Sequence, residues 1–190
     1  GDHPMPSKTN NIYQLKISLK GAKPPIWRRV LVPANFTLHK LHKVIQAAMG
    51  WWDYHLHQFI IFGEYYSNPA DDGWGDLETK NEQRYRLNQI VSGRGFKFEY
   101  EYDFGDSWAH VIQVEKILPR EKGVRYPVCI KGKRACPPED VGGIWGYAGY
   151  LEAIQDPKHP EHDDYLEWRG PFDPNAFDLD EVNAALQEIR

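Results

Sequence analysis

Imidazole and carboxylate groups gather in two stretches of this chain, His55-Leu56-His57 and Asp103-Phe104-Gly105-Asp106-Ser107-Trp108-Ala109-His110. Their nitrogen and oxygen atoms are ligand types for zinc and other divalent cations, and a bound cation can activate water for hydrolysis. Histidines two residues apart on a strand share one face, with side chains about 7 Å apart. His55 and His57 are therefore candidate metal ligands, together with Asp103, Asp106 and His110. The plainer reading is a histidine pair half-buried among neighbouring aromatic residues, with Asp106 hydrogen-bonding its own turn. Cys129 and Cys136 fit half of a zinc site, a reversible disulfide or two packed thiols, since structural zinc needs four ligands. His159, His162, Asp163 and Asp164 form a further ligand-rich run that equally suits a solvated helix start.

Other motifs fail on their spacing. The carboxylates among Asp71, Asp72 and Asp76 lack the alternation of an EF-hand loop. Asp103-Phe104-Gly105 has none of the other kinase signatures around it. Gly142-Gly143-x-x-Gly146 lacks the P-loop lysine and follows two carboxylates, which repel phosphate. Basic residues offer a different chemistry. Arg28, Arg29, Lys40 and Lys43 are candidate phosphate contacts for nucleic acid; the alternatives are structural pairing for the arginines and a solvated helix face for the lysines.

These groups must be positioned by regular elements. Ile12–Lys20 alternates apolar and polar residues, as a half-buried strand does. Ile26–Val32 is a second strand, on which Arg28 shares a face with Ile26 and Val30 and so must pair with a carboxylate or reach water. Thr37 caps a helix over 38–49, with Gly50 as its stop. The helix's second face is His39, Lys40, His42, Lys43 and Gln46. Leu56–Phe62 is a third strand, residues 63–86 read as loop, and Leu87–Val91 as a short helix.

The central stretch is 96–117. Phe96 to Phe104 alternates aromatic with charged residues, Gly105-Asp106-Ser107 breaks the run, and Trp108 to Ile117 resumes it, which predicts a hairpin. A three-residue loop pairs Tyr102 with His110 on the apolar face and sends Asp103 to the other face with Glu99 and Glu101. Helices are predicted over 144–155, 160–169 and from Asp178 onward, the last with an apolar stripe of Leu179, Val182, Leu186 and Ile189.

The 190 residues suffice for one domain with a core, and 41% apolar with 26% charged residues is the composition of a soluble globule. No run approaches the ~20 apolar residues of a membrane span. Only two cysteines and no leader pattern point to a reducing cytoplasm. Charge is uneven: net +6 over residues 1–60 and −10 over 138–190. Either the two ends attract each other within one fold, or a basic nucleic-acid face carries an acidic tail. Residues 1–11 read as a loose terminus.

Trp27-Arg28-Arg29, Leu41-His42, His55-Leu-His57, Tyr102-Asp-Phe-Gly-Asp106-x-Trp108-x-His110 and Cys136-Pro-Pro-Glu-Asp140-x-Gly-Gly-x-x-Gly146-Tyr147 occur in that order. Together they resemble the Ri-plasmid ORF-three-like family, over about residues 11–183. The resemblance implies an α+β domain often encoded on mobile elements, with no established activity. A resolvase-type label attached to some members has no support here, because Ser18, Ser92 and Ser107 lack the arginine setting of a recombinase nucleophile.

The expected fold is α+β. Residues 11–118 form a mostly antiparallel sheet with one packed helix, β-grasp-like in order, and residues 119–190 form a loop and helical extension on the same domain. The leading functional expectation is a non-enzymatic binding module for nucleic acid or a protein partner. A metal-dependent hydrolase of phosphoesterase type, using zinc or another divalent ion, is the alternative, and motifs that only hold the fold together are the third reading.

Overall fold

The computed structural model describes residues 10–71 and 79–190. Most of the expected loose terminus, residues 1–9, and the loop residues Asp72, Gly73, Gly75 and Asp76 lie outside the described residues. In chain order the elements are β1 (Asn11–Leu19), β2 (Trp27–Pro33), α1 (Leu38–Met49), β3 (His57–Ile61), β4 (Glu64–Ser67), β5 (Lys80–Asn81), a 3-10 turn (Glu82–Arg84), α2 (Leu87–Ile90), β6 (Lys97–Tyr102), β7 (Trp108–Pro119), β8 (Val128–Lys133), α3 (Gly143–Gln155), α4 (His162–Arg169) and α5 (Leu179–Leu186).

The strands form one sheet in the order β5-β4-β3-β6-β7-β1-β2-β8, antiparallel except for the short β4–β5 pairing. The fold is α+β, as the residue patterns indicate. Alternation sets which side chains face the core. Leu15, Ile17, Val30, Phe59, Phe98, Tyr100, Ile112 and Val114 are fully or nearly fully buried and cluster with Leu38, Leu41, Val44 and Ile45 of α1. Their intervening neighbours Lys16, Arg29, Glu99, Glu101 and Gln113 are only partly buried. Thr37 caps α1 by accepting from Lys40 N–H, and Gly50 closes it in the left-handed region at φ 110°.

Three expectations are corrected. Residues 63–86 are not wholly loop, because β4, β5 and the 3-10 turn lie there. The segment 119–190 supplies a strand as well as helices, since β8 pairs with β2 from Trp27↔Lys133 to Leu31↔Val128. The central hairpin has the expected faces with a different register: Tyr102 opposes Trp108, Tyr100 opposes His110 and Phe98 opposes Ile112. The loop is Asp103–Ser107, two residues longer than a Gly105–Ser107 turn. A shift of two keeps every side chain on its face.

Candidate metal centre

The longer loop changes where Asp103 goes. Alternation ends at Tyr102, and Asp103 turns into the left-handed region at φ 63°. It is therefore 7% exposed and does not join Glu99 and Glu101 on the polar face. Its N–H donates to Leu56 O at 2.8 Å. Its Oδ1 accepts from Gly105 N–H at 3.1 Å and Asp106 N–H at 3.3 Å. Oδ2 is left to point at His55.

Two further segments reach the same point. The chain leaving α1 runs through Trp52-Asp53-Tyr54-His55, pinned by Trp52 N–H donating to Glu139 Oε1 at 2.9 Å and Tyr54 N–H donating to the Tyr102 hydroxyl at 2.8 Å. The Pro137-Pro138-Glu139-Asp140 segment is fixed by Gly142 N–H, which donates to Asp106 Oδ2 at 3.1 Å. Gly143 packs so closely that a Cβ there would lie 2.4 Å from Asp106 O. The glycine run is thus a close contact between the start of α3 and the hairpin loop.

At the convergence, His55 Nε2 lies 2.8 Å from Asp140 Oδ1, 3.5 Å from Asp103 Oδ2 and 3.9 Å from Glu139 Oε2. His55 Nε2 and Glu139 Oε2 are shielded from water, and neither has a hydrogen-bond partner among the described residues. Glu139 Oε1, by contrast, has the Trp52 N–H and the Tyr102 O–H. Three carboxylates around one imidazole nitrogen make a site that demands positive charge. Metal–ligand bonds of about 2.0–2.2 Å set neighbouring ligand atoms roughly 3 Å apart; the ligand atoms of His55, Asp103 and Asp140 all lie within 4.8 Å of one another, and Glu139 Oε2 stands outside that set, 3.9 Å from His55 Nε2. The site is also open on one side, because the Asp140 side chain is 60% exposed.

A second cluster borders it. His57 Nε2 meets Glu82 Oε1 at 2.7 Å, and His39 Nδ1 meets Glu82 Oε2 at 2.8 Å. His42 Nε2 meets Asp53 Oδ1 at 3.0 Å, while its Nδ1 meets the Tyr100 hydroxyl at 2.7 Å. Ligand atoms of His42, Asp53 and His57 fall within 4.8 Å of one another. However, the His42 and His57 rings are stacked, with centroids 3.4 Å apart and planes 7° apart. An imidazole binds a metal in its own plane, and two parallel planes one ring-thickness apart cannot both contain the same ion. This cluster is a hydrogen-bonded wall rather than a metal cage. Burial pulls the Glu82 carboxyl upward, but its hydrogen bonds to His57 and His39 outweigh that and leave it below the ordinary range. Burial lowers the His42 imidazole. Among the described residues, the cleft beside these groups has a volume of about 360 Å³ and is lined by His39, His42, Asp53, His55, His57 and Asp71, among others.

The structure separates several residues that the sequence groups together. His55 and His57 do not share a strand face: His55 precedes β3 and joins the carboxylates, while His57 joins Glu82. His110 belongs to neither cluster. It is fully buried, accepts from Trp51 Nε1–H at 3.3 Å and meets Tyr100 O through Nδ1 at 3.2 Å. Asp106 supports the loop from behind. Cys129 and Cys136 are free thiols raised by burial, and neither joins a metal-ligating group among the described residues.

The four basic candidates do not form one surface. Arg28 is 2% exposed and meets neither carboxylate nor water, contrary to expectation; it donates to Ala48 O, Met49 O, Trp27 O and Lys133 O. Arg29 is bidentate to Glu115 from the other side of β2. Lys40 and Lys43 lie on α1, where Lys43 is exposed. The helix face expected to be solvated is half-buried, because His42 and Gln46 turn inward to the Tyr100 hydroxyl. Sequence reasoning missed Glu139 and Asp140 as neighbours of His55, and the wholly buried Glu82. The motif order had placed Glu139 and Asp140 beside the right partners, whereas nothing local to Glu82 marks it.

The family model for the plasmid pRiA4b ORF-3-like protein matches residues 11–181. An uncharacterized protein, y4hQ, from Sinorhizobium fredii (strain NBRC 101917 / NGR234) is 39% identical over 182 residues, covering 94% of this chain and 92% of that one. The crystal structure of a protein of unknown function, MM3350, from Methanosarcina mazei Go1 superposes with a TM-score of 0.82 at 42% identity, covering 90% of this chain and 97% of that one. The chain belongs to the plasmid pRiA4b ORF-3-like family. No helix among the described residues is long and apolar enough to cross a membrane.

Proposed function

We propose that this protein holds a divalent first-row metal ion on His55, Asp103, Glu139 and Asp140, and that the centre serves hydrolysis of a ligand lodged in the adjoining cleft. The observation that carries the reading is the convergence of Asp140, Asp103 and Glu139 carboxylate oxygens on His55 Nε2, at 2.8, 3.5 and 3.9 Å, with Glu139 Oε2 shielded and without a hydrogen bond among the described residues. One imidazole with three carboxylates suits manganese, iron or zinc better than calcium. An open coordination side is the mark of catalytic rather than structural sites, and a metal there would lower the pKa of a bound water. Tyr54 lines the cleft and stacks on Trp52, each 70% exposed, with centroids 6.3 Å apart and planes at 16°, a surface for a flat apolar group. Free thiols are in keeping with a reducing cytoplasm. The nucleic-acid reading built on Arg28, Arg29, Lys40 and Lys43 loses ground, since both arginines are already engaged.

The test is metal content and turnover on one preparation. Chelator-stripped protein is reloaded with manganese or zinc, and bound metal is counted for wild type, His55→Ala and Glu139→Gln. The reading expects about one equivalent in wild type, loss in both variants, and metal-dependent cleavage of a chromogenic ester or phosphoester panel. Equal metal content in wild type and variants would overturn the centre. Bound metal without turnover across the panel would leave a binding protein and remove the hydrolase.

A further inference from the structure

A second cleft, with a volume of about 500 Å³, opens where the β2–α1 connection, the β7–β8 loop and the last residues of the chain meet. Lys40, Arg120, Arg125 and Arg190 line it together with Phe36 and Tyr126, and no carboxylate side chain does. The chain has 23 Lys and Arg against 27 Asp and Glu, so four cations facing one hollow is a concentration against the overall balance. None of the four forms an ion pair with a carboxylate among the described residues, whereas Lys20, Arg29 and Lys80 each do.

Three of them are nevertheless held in place. Lys40 Nζ sits 5.2 Å over the Phe36 ring, and the Arg120 guanidinium 5.2 Å over the Tyr126 ring. Arg125 Nη2 donates to Gln187 O at 3.0 Å. Ring faces and a carbonyl orient these cations without neutralising them. Four like charges around one hollow repel one another, and an anion entering it relieves that repulsion. The volume is in the range of small-ligand pockets, and guanidinium groups match phosphate oxygens in pairs.

We propose that this cleft binds a phosphate-bearing ligand, independently of the metal centre. A free nucleotide and the end of a nucleic-acid strand share that chemistry. The experiment uses the full chain, stripped of metal, with ATP measured by calorimetry and a fluorescein-labelled, 5′-phosphorylated 12-mer of single-stranded DNA measured by anisotropy. Each is run at 50 and 200 mM salt for wild type, Lys40→Gln/Arg125→Gln and the control Lys20→Gln, with a thermal melt confirming folding. The expected result is binding of one or both probes, weakened about tenfold or more by the higher salt and at least tenfold by the double substitution, with the control unchanged. Binding of ATP but not the 12-mer assigns a free nucleotide, and the reverse assigns a strand. No binding of either at 50 mM salt, or equal affinity in the double variant, or equal weakening in the control, overturns the proposal.

Discussion

The Tyr102 hydroxyl donates to Glu139 Oε1 at 3.0 Å and in the same position accepts the Tyr54 N–H. One buried oxygen thus ties the approach to β3 to the segment before α3, across the end of β6. Burial and the Glu139 carboxylate push the Tyr102 phenol well above its ordinary value, so it stays a donor at any working pH. Tyr102→Phe removes the donor while keeping the ring. The expected cost is about 1–3 kcal/mol in urea denaturation, because a buried Glu139 oxygen loses a partner. Metal affinity should also fall by roughly 10- to 100-fold, as for other groups that orient a ligand. A calorimetric metal titration alongside the denaturation curve checks both.

Gly143 and Asp106 offer a sharper contrast. Gly143 has φ 72°, and a Cβ would meet Asp106 O at 2.4 Å, a backbone atom that cannot swing aside. Asp106→Ala loses only a half-exposed acceptor for Gly142 N–H. Gly143→Ala should therefore destabilise by several kcal/mol, and Asp106→Ala by about 1 kcal/mol. Melting temperatures of the two variants measured side by side give the ordering, and a larger loss for Asp106→Ala would contradict the packing account.

Arg28 turns a sequence puzzle into a stability prediction. Its guanidinium donates to Ala48 O at 2.7 Å and Met49 O at 3.3 Å, the carbonyl end of α1, and to Lys133 O at 3.0 Å on β8. It also lies 4.5 Å from the Phe177 ring. The favourable charge at a helix C-terminus and the fork of donors act together. Arg28→Lys should cost nearly as much as Arg28→Met, about 3 kcal/mol or more, because one ammonium cannot reach three separated carbonyls. Denaturant midpoints decide it; rescue by lysine would mean that charge alone matters.

What the residues revealed of this molecule follows the range over which each signal acts. Capping at Thr37 and Gly50, the alternation of β6 and of β1 from Leu15 onward, and the stop before Pro157 are local, and the structure agrees with them; at the start of β1 a register shift between Gln14 and Leu15 breaks the alternation, and Gln14 is buried. Strand alternation also placed His110 on the apolar face. It failed at Asp103, because alternation holds only while the backbone stays extended, and a left-handed residue at φ 63° resets it. Glu82 was hidden for a related reason: its burial depends on His39 and His57, 43 and 25 residues away. Arg28 looked like an ion-pair residue because sequence shows carboxylates and cannot show a helix end pointing at a side chain. Of the site, His55 and Asp103 stood out as ligand types and Glu139-Asp140 only through the order of motifs; that His55, Asp103 and Glu139-Asp140 meet at one point is a property of the three loops together.

His110 carries a pH prediction that is separate from the metal centre. Complete burial lowers its pKa to about 4, with the Tyr100 carbonyl opposing the shift only in part. The Trp51 indole N–H donates to Nε2, which fixes the neutral ring with its proton on Nδ1. In the unfolded chain the same ring titrates near 6.5. Above that value both states are neutral and the group contributes nothing to pH dependence. As pH falls below about 6.5 the unfolded chain takes up a proton that the folded protein refuses, so stability declines until the pH passes about 4. The difference corresponds to a loss on the order of 3 kcal/mol over that window. Urea denaturation at pH 7.5, 6 and 5 should show this decline in wild type. His110→Gln, which keeps a polar group but does not titrate, should start less stable and show a flatter dependence across the same window. An unchanged slope in the variant would place the acid sensitivity elsewhere, with the carboxylates around His55 the next groups to substitute.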